Sequence, residues 1–218
     1  SYYDELLLLR AGYYTQSEFL SKMESSINYV EGSVGARVQP VAHASYDAWI
    51  KAYRPNENSS NTTMTYYTRG SILAAFLDVK IIRNTNGEKC LEHFLQHIYD
   101  KFYVKAGRGF TSSEFKRELE GFTGENLDAF YEDYIDGTAI PNYTELFAKM
   151  GVQVTNVSST KPDFGATIRS SGGKAIISRI RSNSAAEDAG LSVNDEIIGC
   201  NGYRVSKADI EGIMRGIS

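Results

Sequence analysis

A mainly α fold followed by a smaller α+β unit is what the sequence predicts, and three observations carry that expectation. Over residues 1–150 apolar residues recur at helical spacing, behind start signals of the Thr-x-x-Glu type. After Gly151 this rhythm stops, and a β-prone, then polar stretch, VQVTNVSSTKPD, follows. Beyond it, in FGATIRSSGGKAIISRI, two β-prone runs flank a Gly-Gly pair, the pattern of a hairpin. The expected organisation is a helical unit over 1–150, a linker over 151–162 and an α+β unit over 163–218 that stops before its sheet is complete.

The elements follow in order. SYYDELLLLRAG reads as a helix that opens with no start signal before it. Thr15 and Glu18 form a capping-box pattern ahead of Phe19, Met23, Ile27 and Val30. Residues 32–44, with Pro40, break the rhythm, and Ser45 is placed to cap a short helix holding Trp49 and Tyr53. A polar loop, RPNENSSNTT, leads to TYYTRG, where two tyrosines stand at the position usually given to a Ser, Thr, Asp or Asn cap. Behind them Ile72, Phe76 and Val79 share one helix face, and Leu91, Phe94, Leu95, Ile98 and Phe102 form the next stripe. Thr111 and Glu114 repeat the capping box before Phe115, Leu119 and Phe122. Leu127, Phe130, Tyr131 and Tyr134 line a helix that stops before DGTAIP, and a short helix with Leu146, Phe147 and Met150 closes the region. The short loops imply that successive helices pack on one another.

Composition narrows the function classes. With 42% apolar and 23% charged residues in 218, the chain has the make-up of a soluble globular protein. It holds no apolar run of about 18 residues, so no membrane span is expected. No signal peptide is visible, which favours the cytoplasm and leaves the periplasm open, because the true N-terminus is expected to lie upstream. Residues 1–160 carry 15 basic against 20 acidic side chains and residues 161–218 carry 8 against 7. Neither is the basic footprint of a nucleic-acid binder. Cys90 and Cys200 read as free thiols, and the sequons at Asn58, Asn61, Asn142 and Asn156 as chance matches. His93 and His97 are spaced to face one way on a helix, but Phe94 stands where HExxH needs its glutamate, so a solvated helix edge is expected and no metal site.

The stretch SNSAAEDAGLSVNDEIIGCNGYRV resembles the central part of a PDZ domain of the bacterial protease-associated type. The matching residues are Ser184-Ala185-Ala186, Ala189-Gly190-Leu191, Asn194 to Ile198 and Asn201-Gly202. By that resemblance a peptide C-terminus would add as a strand beside Thr167 and Ile168, its carboxylate held by the loop Asp163-Phe164-Gly165-Ala166. A final helix from about Ser206, with Ile210 and Ile213, would wall the groove.

The blocks SYYDELLLLRAG, ASYDAWIKAYRPNENSSNTTMTYYTRG, GRGFTSSEF and YIDGTAIPNY together resemble the glycyl-aminopeptidase family of zinc metallopeptidases, thermolysin-like enzymes with a C-terminal PDZ domain. In that family two histidines of an HExxH helix and a glutamate just ahead of the residues matching SYYDELL hold the zinc. This sequence contains no HExxH. The resemblance therefore implies the C-terminal part of a longer enzyme that cleaves small residues such as Gly or Ala from peptide N-termini. It implies no cofactor in this chain, zinc in the full-length enzyme, and no activity for the chain alone. Related aminopeptidases place an oxyanion-stabilising tyrosine in a Tyr-x-Lys-Gly element at a helix start, and Tyr67-Thr68-Arg69-Gly70 matches it with Arg for Lys. Tyr67 is the implied oxyanion donor, with Tyr66 as the alternative and half-buried packing as the plain reading of both. Gly70 would let the helix start close to its neighbours. Tyr2 and Tyr3 read as packing residues or neighbours of the zinc site, and Asp4 and Glu5 as acids near it. A helical scaffold with a peptide-binding PDZ module and no catalysis is the alternative function.

Overall fold

The computed structural model describes residues 1–157, 163–206, 209–210 and 212–213. Capping chemistry sets several helix starts. After α1 (Tyr2–Arg10), α2 (Gln16–Gly32) opens on Thr15, whose hydroxyl accepts from the Glu18 N–H at 3.2 Å while the Glu18 carboxylate accepts from the Thr15 N–H at 2.8 Å. A 3-10 turn over Val34–Arg37 leads to α3 (Val41–Tyr46), which starts directly after Pro40. Ser45 therefore lies inside this helix, and Trp49 and Tyr53 fall in the turns beyond it, 80% and 52% exposed. Burial decides the difference: Ala44 and Ala48 are the inward positions here, and the aromatics face out.

A single turn, α4 (Ser59–Thr62), precedes the long helix α5 (Tyr66–Asn84). α6 (Leu91–Ile98) runs on into a π-helical turn over Tyr99–Lys105. α7 (Ser112–Thr123) repeats the capping box with Thr111 and Glu114, and Gly124 ends it in the left-handed conformation, φ 72°. Hydrogen bonds from Arg108 and from the Thr111 backbone hold the Glu114 carboxyl down at about 2. α8 (Asp128–Phe130) continues as a π turn over Tyr131–Ile135, and α9 (Tyr143–Ala148) is capped by the Asn142 side chain.

α5 feeds three apolar clusters at once. Leu73 and Ile81 join Leu91, Phe94, Ile98, Phe102, Leu119, Leu127 and Phe130; Ala75 and Val79 join Met23, Leu146 and Phe147; Ile72 joins Val30, Ala36 and Met64. Phe94, fully buried, meets Phe115 and Phe122 edge-to-face at 5.2 and 5.5 Å. The helix is thus enclosed on more than the one face its periodicity suggests, whereas Leu95 and Met150, expected inside, are 40% and 44% exposed.

The strands begin at β1 (Ala166–Ser171), joined to β2 (Lys174–Ile180) by Gly172 and Gly173, both at positive φ as a tight hairpin turn requires. Ser184 caps α10 (Ala185–Asp188), β3 (Glu196–Ile197) pairs with β2, and β4 (Gly199–Cys200) with β5 (Tyr203–Arg204) closes around Asn201-Gly202. The sheet order β1-β2-β3 leaves one edge of β1 unpaired among the described residues. Of the expected final helix, residues 209–210 and 212–213 are helical, with Ile210 buried; residues 207–208, 211 and 214–218, like linker residues 158–162, lie outside the described set.

One carboxylate ties the first helix to this frame. Asp78, 5% exposed in mid-α5, accepts from the Tyr2 hydroxyl at 2.6 Å and from the Leu91 N–H at 2.7 Å, where α6 begins. Burial, reinforced by Asp78, pushes the Tyr2 phenol well above its ordinary range. Asp78→Ala leaves both donors without a partner and is expected to lower stability by about 3 kcal/mol, against about 1 kcal/mol for Tyr2→Phe. Urea unfolding of the two variants measures the difference.

Candidate active site: the tyrosine pair at the start of α5

The helix behind TYYTRG has an ordinary cap after all. Thr65 is the N-cap, its hydroxyl accepting from the Tyr67 N–H at 3.3 Å, so Tyr66 and Tyr67 are the first two residues inside the helix. Their rings lie 4.2 Å apart between centroids, tilted by 30°, and Tyr67 is 52% exposed. Tyr53, from the turns after α3, brings its hydroxyl to 3.1 Å from that of Tyr67 and rests its ring on Trp49 at 5.1 Å. The sequence reading gave Tyr53 no part here; it placed Tyr53 with Trp49 on a short helix after Ser45 and in the ASYDAWIKAYRPNENSSNTTMTYYTRG block.

The three phenols bias one another. Hydrogen bonds from Tyr53 and Tyr66 stabilise a phenolate at Tyr67 and draw its pKa below the usual tyrosine value. Tyr66, through its hydrogen bonds with Tyr53 and Tyr67, is pushed above the usual tyrosine value. Of the pair Tyr66 and Tyr67, Tyr67 is therefore the more acidic and, as a neutral phenol, the stronger hydrogen-bond donor.

Arg69 turns the other way. It is 4% exposed and donates to the carbonyls of Ala36 at 2.5 Å, Ala139 at 3.2 Å and Gly137 at 3.4 Å. Those partners lie in the 3-10 turn and in the DGTAIP loop. Arg69 therefore anchors the helix start rather than facing the mouth. The expectation for Gly70 fails: a Cβ there would meet nothing within 4 Å. The close approach falls at Gly35, where a Cβ would lie 2.0 Å from the Thr63 carbonyl oxygen.

The other expected site residues fall elsewhere. Tyr2 packs in two of the apolar clusters through its bond to Asp78. The Tyr3 hydroxyl is buried without a partner among the described residues, and burial pushes it up to about 12. Asp4 is exposed in the first turn of α1, and among the described residues one Glu5 carboxylate oxygen is buried without a partner. His93 Nδ1 accepts from the Cys90 N–H at 3.1 Å, and His97 Nε2 sits 3.0 Å from Glu118. Both imidazoles are thus engaged at the helix edge. Among the described residues no three His, Cys, Asp or Glu side chains gather as a metal-ligand set.

In the strand unit, Phe164, Gly165, Ala166, Thr167 and Ile168 form the loop and strand the resemblance picked out, with the free edge of β1 beside them. The loop differs from the expected carboxylate cradle in one respect. The Gly165 N–H already donates to the Asp163 carboxylate at 2.9 Å, and Asp163 pairs with Arg181. A carboxylate thus occupies that N–H from within the chain.

Spectrophotometric titration checks the phenol network. One phenol of the native chain is expected to ionise below the usual tyrosine range, and Tyr53→Phe is expected to move that transition upward; an unchanged titration would dissolve the network.

The comparisons with known proteins bear on these residues. Residues 1–73, which include the tyrosine pair, match the family model described as M61 glycyl aminopeptidase, and residues 148–215 match that of the PDZ domain. A crystal structure of an aminopeptidase N family protein from Idiomarina loihiensis superposes with a TM-score of 0.86 at 22% identity, over 98% of this chain and 38% of that one. The chain thus spans well under half the length of that protein, and the likeness takes in both the helices and the strands. No curated protein matches. The chain carries an M61 glycyl aminopeptidase region at its start and a PDZ domain at its end.

Proposed function

We propose that this chain forms the helical wall and the PDZ module of a metallo-aminopeptidase that removes small residues such as Gly or Ala from peptide N-termini. The observation that carries the reading is the exposed Tyr67 phenol at the first turn of α5, inside the region matched to the M61 family. Peptide hydrolysis passes through a tetrahedral intermediate whose oxygen needs a fixed donor. Tyr67 is held by its own backbone turn, by the Tyr66 ring and by the Tyr53 hydroxyl, so it meets that oxyanion without reorganising. Its lowered pKa makes it the better donor.

The described residues offer no ligand set for the zinc that the resemblance implies, so no step is assigned through it. In this reading the ligands belong to a longer chain, and the 218 residues alone hydrolyse nothing. The open edge of β1 favours a second role beside the first, capture of a peptide strand by the PDZ module.

In the upstream-extended enzyme, Tyr67→Phe is expected to lower kcat by about 10²–10³ with bound metal unchanged. The donor must be protonated, so activity falls as pH rises through the Tyr67 pKa. That pKa is lowered, which puts the basic limb below the usual tyrosine range, and Tyr53→Phe should move the limb upward. Full activity in Tyr67→Phe would leave the paired tyrosines as packing residues.

A further inference from the structure

Between the helical unit and the strands lies a cavity of about 670 Å³, within the roughly 300–1,000 Å³ usual for small-ligand sites. Its helical side carries Tyr53 and Tyr67, and its strand side carries Gly165, Thr167, Arg179 and Arg181. We propose that this cavity is a binding site for short peptides, with Arg179 taking the C-terminal carboxylate while the peptide's N-terminal end faces Tyr67. The inference rests on the aminopeptidase reading and narrows its substrate class to peptides short enough to lie within one cavity.

Charge selects the ligand. Lys51, Arg179 and Arg181 line the cavity against one acid, Asp163. Lys51 is taken by Asp47 at 2.7 Å and Arg181 by Asp163. Arg179 is exposed and, among the described residues, makes no ion pair or hydrogen bond through its side chain. It stands on β2 opposite Thr167, and a bulge fixes that register: the chain steps from Thr167↔Arg179 to Ile168↔Ile177, and Ser178 donates to the Thr167 carbonyl at 3.1 Å. A guanidinium held on a strand and lacking a partner suits a carboxylate, which it meets through two parallel N–H bonds. The loop cannot supply that anchor through Gly165, whose N–H Asp163 already holds. The helical side of the site, with the Tyr29, Tyr53 and Tyr67 phenols and no cation other than Lys51, suits the reacting amide.

The walls are fixed in place by Asn61. Its side-chain nitrogen donates to the Ile180 carbonyl at 2.8 Å and its oxygen accepts from the Ser182 N–H at 3.0 Å, on either side of Arg181. Asn61 is 9% exposed. The cavity is therefore a built feature of the contact between the two units.

Trp49, the only tryptophan, rests on Tyr53 and so reports filling of the cavity. The test titrates the 218-residue chain with triglycine and with triglycine amide, following Trp49 emission. Triglycine is expected to give a saturable change and the amide to bind about tenfold more weakly, the difference a charge-assisted anchor makes. In Arg179→Gln the two ligands should differ by less than about twofold. Arg169→Gln removes the same charge from β1 outside the cavity and should keep the full preference. Equal affinity for acid and amide in the native chain, a preference that survives Arg179→Gln, or no saturable signal would each overturn the site. The assay needs neither metal nor turnover. Triglycine binding by this chain together with an inactive upstream-extended enzyme would defeat the aminopeptidase reading alone, and an active extended enzyme without binding here would defeat this site alone.

Discussion

The helical unit is organised around a buried guanidinium. Arg69 reaches the Ala36 carbonyl on one side and those of Gly137 and Ala139 on the other, joining two segments about a hundred residues apart in the chain. Burial lowers its pKa, an effect opposed by Tyr143 and Glu31 nearby. The Glu31 carboxylate, which accepts from Tyr143 at 2.9 Å and pairs with Arg37, supplies the negative charge beside it. A lysine would bring one point charge to a place where a planar fork spans three acceptors. Because Arg69 lies in the first turn of α5, fixing it also fixes Tyr66 and Tyr67 on that turn. The same helical turn is anchored from below and presents phenols above.

From that anchor α5 extends through the interior, and what surrounds it explains why one helix can serve as wall and core at once. Its residues enter three separate clusters, and Asp78 adds polar ties to α1 and α6. α1 has no fully buried residue of its own, yet its Tyr2 reaches two of those clusters. Position along α5 thus sorts roles. The first turn meets solvent, the middle carries the buried carboxylate, and Ile81 near the far end is completely enclosed.

Much of this was legible in the sequence because it is local. The capping boxes at Thr15 and Thr111 and the Gly172–Gly173 hairpin are each written within four residues, and each forms as read. What escaped depends on contacts between distant segments. Tyr53 reaches Tyr67 across fourteen residues and a polar loop, and nothing in the spacing points one hydroxyl at the other. Gly35 and Gly70 are indistinguishable as letters; only the Thr63 backbone beside Gly35 separates a required glycine from a tolerated one. Asp78 sits in an apolar run where a charge reads as a solvent position, and its two donors come from helices before and after. Arg69 was legible as a departure from a Tyr-x-Lys-Gly element but not as an inward-pointing anchor, since direction follows from the carbonyls that await it.

The same contrast bears on how the two units work together. Asn61 is a sequon by its letters and a bridge by its bonds, both ends of its amide engaged with the chain around Arg181. Four residues later Thr65 caps α5 and sets the tyrosines, with Met64 between them bound through its N–H to the buried Gln39. The segment that holds the strands is thus the segment that positions the phenols, with little slack between. A displacement of the end of β2 must either break two hydrogen bonds at a buried amide or be carried toward the helix mouth. Breaking them strands polar groups away from water, at about 1–3 kcal/mol for each group left unpaired, so movement of the two walls together is the less costly course. The PDZ unit attached in this way shares a wall with the candidate active site.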